Sequence, residues 1–381
     1  MRVLYTCPLA HLTGHPPAEA AKETRILQDQ GVEVELLTFC GVHEGFEVVV
    51  PETKVMSDNS LFKKLRSKFV LQWFLRTFEY ASTITKAATL AKDRPIYLRD
   101  AEPFPHIVHI VNFFFRKRWV ISSTGGLYTT GSGVKGVYKI LLGLTGVNLP
   151  FWYKLTSNKI SYVVQNPDIK TLMQRILGDN ITVIPLGRRS EMPIEYANAR
   201  QQLHISPNEK VLLMLGANHS GKDNETVYKA LPYLNVVLIH AGPTAQSINA
   251  HPSILVKKYG VENKVILLDR QIGTEEKKLL FGAADWVLLS YHNIFSSTTS
   301  MLWEACAYGK PVIASSGSDL EKLVKKWGLG VVFEAGNSAS LVSTTHKAMT
   351  GLDGWAKENC KEFIDAHSEI KWYEKTISLL R

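Results

Sequence analysis

The chain has 381 residues, 45% of them hydrophobic and 21% charged, with a formal net charge of +9; that length suits two domains, each able to bury its own core, and the composition is that of a soluble globular protein. Cys7, Cys40, Cys306 and Cys360 stand far apart with no paired spacing, which excludes a disulfide framework or a cysteine zinc site and suits a reducing compartment. The basic excess is local: residues 61–159 hold 16 Lys and Arg against only Glu79, Asp93, Asp100 and Glu102, so an acidic partner surface is expected there.

Met1-Arg2-Val3-Leu4-Tyr5 runs straight into a strand, Val3 to Cys7, and shows no signal peptide. A loop over Leu9 to Pro17 leads to a helix from about Ala18 to Gln30, stopped by Gly31, and then to a strand, Val32 to Leu37. Farther on, Phe62, Leu65, Phe69 and Trp73 recur at helical spacing with Val70 and Phe74 beside them, while Lys63, Lys64, Arg66, Lys68 and Arg76 cover the rest. A helix aromatic on one side and cationic on the other suits an anionic membrane surface, so 61–76 is expected to be an interfacial anchor, with Phe113-Phe114-Phe115-Arg116-Lys117-Arg118 docking beside it. A core helix with a solvated basic face is the alternative. The apolar stretch from Ile140 to Tyr153 is too short and too broken by Gly143, Gly146, Asn148 and Pro150 to span a bilayer.

Short strands at Ile96–Arg99, Trp119–Ser122, Ser161–Val164 and Thr182–Ile184 complete the first half. Pro185-Leu186-Gly187-Arg188-Arg189 reads as a hinge. The second half repeats the scheme with apolar strands at Val211–Leu215, Val236–Ile239, Val265–Leu268, Trp286–Leu289 and Val312–Ala314, and an amphipathic helix from Ser368 to Leu380 closes the chain. Strands alternating with helices predict an α/β protein of two Rossmann-like, doubly wound parallel-sheet domains facing a central cleft. The domains are expected over 1–186, joined by the terminal helix 366–381, and over 187–365. Ligands in such sheets bind beyond the carboxyl ends of the strands.

The most informative segment is Ser296 to Ala314. A hydroxyl-rich turn, Ser297-Thr298-Thr299-Ser300, runs into a short apolar helix carrying one acid, Glu304, and Gly309 closes it before Val312-Ile313-Ala314 re-enters a strand. Backbone N–H groups and the positive end of a helix can hold a diphosphate, and an acid farther along can take the paired hydroxyls of a ribose. Simple capping of the helix by Ser and Thr is the alternative.

The run Glu304-Ala305-Cys306-Ala307-Tyr308-Gly309-Lys310-Pro311-Val312-Ile313 resembles the Glu-Ala-x-Ala-x-Gly-x-Pro-Val-Ile motif of nucleotide-sugar-dependent glycosyltransferases of the GT-B fold, closest to the family 4-like type, the glycosyl transferases group 1. The resemblance implies that Glu304 binds the donor ribose, that Ser297, Thr298, Thr299 and Ser300 face its phosphates, and that the terminal helix crosses back onto the first domain. It also implies a phosphate-binding loop after the first strand of the second half, here Gly216-Ala217-Asn218-His219-Ser220-Gly221-Lys222. Gly216 and Lys222 match that pattern, with Lys222 neutralising the departing diphosphate, and Asn218 and His219 adding hydrogen bonds. Arg270 falls where the nucleotide base is held; a surface salt bridge with Asp269 is its other reading.

The chain departs from the family at two positions. Ala217 stands where an arginine is usual, and Ser296 where many family 4 members have a second acid. On the acceptor side, Gly14-His15 resembles the loop in which inverting family 1 enzymes carry their base; His15 suits that work by its near-neutral pKa, and Asp100, with Glu102, is the rival. Thr124 and Gly125 end another first-half strand and permit close approach of a ligand.

The resulting expectation is a glycosyltransferase of the hexosyltransferase type that moves a sugar from a nucleotide diphosphate-sugar co-substrate to a glycan or lipid-linked acceptor. It is expected to need no metal or other cofactor, the chain having no Asp-x-Asp triplet. It is expected to be cytoplasmic, peripheral to the inner face of the plasma membrane, and without a nucleic-acid partner. A sugar-nucleotide epimerase of the same fold and a non-catalytic nucleotide-sugar-binding protein are the rival readings.

Overall fold

A computed structural model describes residues 1–8, 15–39, 53–55, 69–99, 105–123, 155–165, 167–177, 179–245, 251–292, 299–351 and 357–381. The chain divides into two compact units, Met1–Gly187 together with Glu369–Arg381, and Arg188–Ser368. In the first unit the elements are β1 (Arg2–Thr6), α1 (His15–Asp29), β2 (Glu33–Thr38), β3 (Thr53–Val55), α2 (Phe69–Leu90), β4 (Ile96–Arg99), α3 (Pro105–Phe115), β5 (Trp119–Ser123), β6 (Ile160–Val164), α4 (Pro167–Leu177) and β7 (Ile181–Val183). The second contains α5 (Tyr196–Gln202), β8 (Val211–Leu215), α6 (Asn224–Ala230), β9 (Val237–Ala241), α7 (Pro252–Tyr259), β10 (Val265–Leu268), α8 (Thr274–Ala283), β11 (Trp286–Leu289), α9 (Ser300–Ala307), β12 (Val312–Ser315), α10 (Asp319–Trp327), β13 (Gly330–Phe333), α11 (Ser338–Met349) and α12 (Lys357–Ala366). Helix α13 (Glu369–Leu380) returns to the first unit.

Both sheets are parallel. The first has the order β3-β2-β1-β4-β5-β6-β7 and the second β10-β9-β8-β11-β12-β13. In each, strand order reverses at one point, between β1 and β4 or between β8 and β11, and the connections on either side leave in opposite directions. Ligands of such sheets bind at this point, beyond the carboxyl ends of the strands. The expected α/β class of two doubly wound, Rossmann-like parallel-sheet domains is therefore what the chain forms.

The strands are apolar throughout because helices cover both faces. Side chains alternate between two cores with the period of the pleat: Leu4 and Leu98 pack on one face of the first sheet, and Val3, Tyr5 and Tyr97 on the other. Trp372 of α13 belongs to the second of these cores, its ring 6.2 Å from that of Tyr97. In the second unit Val211, Leu213 and Leu215 face one core and Leu212 and Met214 the other. A buried ion pair there is fully engaged: Arg200 donates to Asp285 Oδ2 at 2.8 Å and to the carbonyls of Ser206, Pro207, Glu209 and Ala283. Buried charges persist when paired and hydrogen-bonded in this way.

Three features differ from the sequence expectation. Strand β3 was not anticipated, because three residues at a sheet edge leave no periodic signal. Strand β13 was missed because it opens with glycine, ordinarily a strand breaker. Helix α1 begins at His15 rather than Ala18, since Pro16 and Pro17 fall in its first turn, where a missing N–H costs nothing. The run 61–76 lies outside the described residues except for the backbone of α2 from Phe69. Among the described residues, no helix is long and apolar enough to cross a membrane.

Gly330 is where packing leaves least room. A Cβ there would sit 1.9 Å from the Val312 carbonyl oxygen of the paired strand, whereas at Gly336 (φ +77°) it would meet nothing within 4 Å. Gly330→Ala should destabilise the protein by about 3 kcal/mol through strand displacement, and Gly336→Ala by only about 1 kcal/mol through left-handed backbone strain. Urea denaturation of the two variants checks the difference.

Candidate active site

The site is built at the reversal point of the second sheet. Strand β8 ends at Leu215, and the loop after it carries Gly216, Asn218 and Lys222; β11 ends at Leu289, and the segment after it leads to α9. These two connections pair with each other: Lys222 and Tyr291 form an antiparallel bridge, and His292 N–H donates to the Gly221 carbonyl at 3.1 Å.

Lys222 is buried, with a relative exposure of 8%. Its Nζ donates to the Leu215 carbonyl at 3.1 Å and the Gly216 carbonyl at 2.9 Å. Burial disfavours the ammonium and lowers its pKa to about 8. The surroundings of Gly216 show how the parts meet: a Cβ on that residue would lie 3.9 Å from Lys222 Nζ and 3.8 Å from the side chain of Met301, in the first turn of α9. Lysine, glycine and helix start therefore share one small volume.

Thr299 is the N-cap of α9. Its Oγ1 accepts from Met301 N–H at 3.2 Å and from the Tyr291 hydroxyl at 2.8 Å. Thr299 thus does cap the helix, and Tyr291 locks the cap; burial pushes the Tyr291 hydroxyl up to about 12. Ser300 is the first helical residue and is half-buried. Glu304 lies one turn on, and its Oε2 is 2.9 Å from Lys277 Nζ of α8. Its carboxylate is 14% exposed, so it is held by a cation at the edge of solvent.

Beneath this surface runs a buried polar chain. Asn218 is fully buried; its Nδ2 faces the Gly242 carbonyl and Thr244 Oγ1, and its Oδ1 is 2.6 Å from His240 Nε2. An amide oxygen only accepts, so Nε2 carries the proton and Nδ1 accepts from the Tyr228 hydroxyl at 2.8 Å. Burial, with the Lys222 charge adding to it, pushes the His240 pKa down to about 3, so the ring is neutral. The expectation that Asn218 contacts a ligand gives way to a packing role, since its side chain has no surface to offer. Gly242 completes the floor: a Cβ there would strike the Gly216 carbonyl oxygen at 2.5 Å, so only glycine lets the two strand ends approach.

Arg270 is exposed and forms a two-pronged pair with Glu276, at 2.6 and 2.7 Å. The anticipated partner Asp269 instead accepts from Thr244 N–H and faces His251 Nε2, each at 2.8 Å. His219, also part of the loop, has its pKa lowered by burial and by Lys222. Of the remaining candidates, His15 is the first residue of α1. Gly14, Asp100, Thr124, Gly125, Ser297 and Thr298 lie outside the described residues, as does Ser296. Sequence reasoning missed Tyr291, Gly242, His240 and Lys277. None sits in a motif; all act by being brought beside the loop in space.

Residues 195–365 match the family described as glycosyl transferases group 1. The matched span lies wholly within the second unit. No curated protein sequence matches the chain. Solved structures match over its whole length at low identity: sucrose-phosphate synthase from Thermosynechococcus elongatus (TM-score 0.69, 16% identity, 99% of this chain and 98% of that one). HepE of Anabaena in complex with UDP and glucose gives 0.70, 17%, 100% and 99%. A glycosyltransferase from Rickettsia africae gives 0.72, 14%, 100% and 97%. Together they establish the GT-B fold for the full chain, as the sequence resemblance implied.

The buried polar chain sets the shape of the second unit at the loop carrying Lys222. Replacing His240 with Phe strands the Tyr228 hydroxyl and Asn218 Oδ1 without partners, at a cost of about 3 kcal/mol. A lowered urea midpoint at unchanged slope would report it; an unchanged midpoint would show that the chain contributes nothing to stability.

Proposed function

We propose that the protein is a glycosyltransferase that moves a sugar from a nucleoside diphosphate-sugar to a hydroxyl acceptor, with the donor on the second unit. The observation that carries this reading is Lys222: a buried ammonium, solvated only by backbone carbonyls, set against Gly216 and the first turn of α9. A dry cation beside a positive helix end is the environment in which a leaving diphosphate is most strongly stabilised. Glu304, a turn farther along, is proposed to accept hydrogen bonds from the ribose, with Lys277 holding its carboxylate in place. The complex of HepE with UDP and glucose on the same fold supports a UDP-sugar as the first donor to try.

In the proposed step the acceptor oxygen attacks the anomeric carbon, the bond to the diphosphate breaks, and the diphosphate leaves with the electron pair. The acceptor proton goes to a base on the first unit, for which His15 and Asp100 are the candidates. We propose that Lys222 and the helix end supply the charge that a divalent ion supplies elsewhere. The acceptor is proposed to be a glycan or lipid-linked saccharide at an anionic membrane surface, a reading supported by the aromatic and basic pattern of 61–76.

Incubation with a panel of nucleotide sugars, with and without membrane lipid extract, tests the activity. Lipid-dependent release of nucleoside diphosphate supports transfer, an isomerised donor would make the protein an epimerase, and binding without turnover would make it a sensor. Lys222→Met and Glu304→Ala should each weaken nucleoside diphosphate binding about 10- to 100-fold, the loss of one charge-assisted contact; unchanged binding in both would remove the site.

The depressed pKa of Lys222 predicts a pH signature. A bound diphosphate favours the ammonium, so binding is strongest below about pH 8, where the lysine is already charged, and falls as pH rises through that value. Titration calorimetry from pH 7 to 9.5 should show this decline in the wild type and none attributable to this group in Lys222→Met.

Flotation on phosphatidylglycerol vesicles tests the membrane surface. Binding should fall with salt and disappear when Lys63, Lys64, Arg66 and Lys68 are replaced by Glu; unchanged flotation would refute it.

A further inference from the structure

The first sheet carries a charged feature at the amino ends of its strands. The turns entering β4, β5 and β6 and the end of α13 border an open cavity of about 460 Å³ lined by Lys92, Arg116, Lys117, Arg118, Lys159 and Arg381. It lies away from the carboxyl ends of the strands and wholly within the first unit. Asp93 carries the one acidic side chain in its wall.

Some of this charge has local work to do. Lys117 Nζ donates to the Lys92 carbonyl, and Arg94, also in the wall, pairs with Glu35 at 2.5 Å and caps the Leu90 and Ala91 carbonyls at the end of α2. Cations near helix C-termini are favoured by the dipole. That accounts for Lys117 and Arg94 and leaves five others. Among the described residues, no carboxylate pairs with Lys92, Arg116, Arg118, Lys159 or Arg381.

The walls are also held firmly. Lys92 and Arg116 occupy the left-handed region, with φ of 50° and 53°, where glycine is the usual residue. Asn112 fixes the second turn by accepting from Lys117 N–H at 2.6 Å and Trp119 Nε1 at 3.1 Å, and Ile96 N–H ties the first turn to the Arg118 carbonyl at 2.9 Å. Like charges gathered on strained, braced turns around one concavity repel one another until a multivalent anion fills it.

We infer that this cavity is a binding site for an anion bearing at least two phosphate groups, separate from the candidate site on the second unit. Three of the five remaining cations, Arg116, Arg118 and Arg381, are arginines, and the guanidinium fork matches phosphate oxygens in pairs. Phe113, Phe114 and Phe115, all exposed at 41%, 73% and 37%, stand directly before Arg116. The phosphates therefore come either from a lipid headgroup or from a soluble compound.

Inorganic pyrophosphate is the probe. Calorimetric titration is run on the full-length Lys222→Met chain, so that the second unit contributes least, and compared with the same chain carrying Arg116→Glu and Arg118→Glu. Both residues are solvent-exposed, and circular dichroism and thermal melting verify folding; Lys159→Ala serves as a milder second variant. The expected result is a salt-sensitive site whose dissociation constant rises at least tenfold in the charge-reversed chain and by a smaller factor in Lys159→Ala. Equal binding in all three chains, or no binding in the first, overturns the inference. In a parallel arm, flotation on vesicles containing cardiolipin, whose headgroup carries two phosphates, that is lost with Arg116→Glu and Arg118→Glu assigns the phosphates to lipid, and flotation that is retained while pyrophosphate binding is lost assigns them to a soluble ligand. Vesicle binding without any pyrophosphate binding would make this a diffuse basic surface and overturn the site.

Discussion

The second unit is organised around one ammonium group taken out of water. Lys222 sits at the reversal point of a parallel sheet and finds its solvation in the carbonyls of Leu215 and Gly216. A buried lysine is costly unless its hydrogen bonds are met, and several features follow from meeting them. The strand ends must crowd together, which requires Gly242 against Gly216. The loop must be anchored from below, which Asn218, His240 and Tyr228 do as a neutral chain. The facing connection must close against it, which Tyr291 does by pairing with Lys222 and capping α9 through Thr299.

The first unit repeats the architecture with a different interior. At its own reversal point Tyr5 of β1, Glu23 of α1 and Arg99 of β4 form a buried polar cluster, the tyrosine donating to Glu23 at 2.6 Å and Arg99 pairing with the same carboxylate. One charge of each sign is buried together, in contrast to the carbonyl-solvated cation of the second unit. Helix α1, which supplies Glu23, also begins with His15. The basic cavity lies at the amino ends of the strands of the same sheet.

Much of this was legible in the sequence. Apolar strands alternating with amphipathic helices dictate parallel sheets covered on both faces, and the order of Gly216, Lys222, Thr299 and Glu304 along the chain follows from two strand ends meeting at one reversal point. The errors have local causes. Three residues at an edge, as in β3, carry no period, and a glycine at the head of β13 reads as a break. For Asn218 and Arg270 the partners were not legible, because a polar side chain in a loop gives no sign of which way it turns: Asn218 faces the core, and Arg270 forms its surface salt bridge with Glu276, not with its sequence neighbour Asp269.

The sequence by itself determined the fold class, the covered sheets and the glycosyltransferase-like motif of α9, because each depends on residues close together in the chain. Tertiary structure alone decided the partners: His240 beneath Asn218, Tyr291 against Thr299, Lys277 on Glu304, and the gathering of Lys92, Arg116, Lys159 and Arg381 around one cavity. These contacts join residues from separate strands and helices. Their meeting is set by the order of strands within a sheet, which no local pattern encodes, and their burial and pKa shifts exist only once that order excludes water.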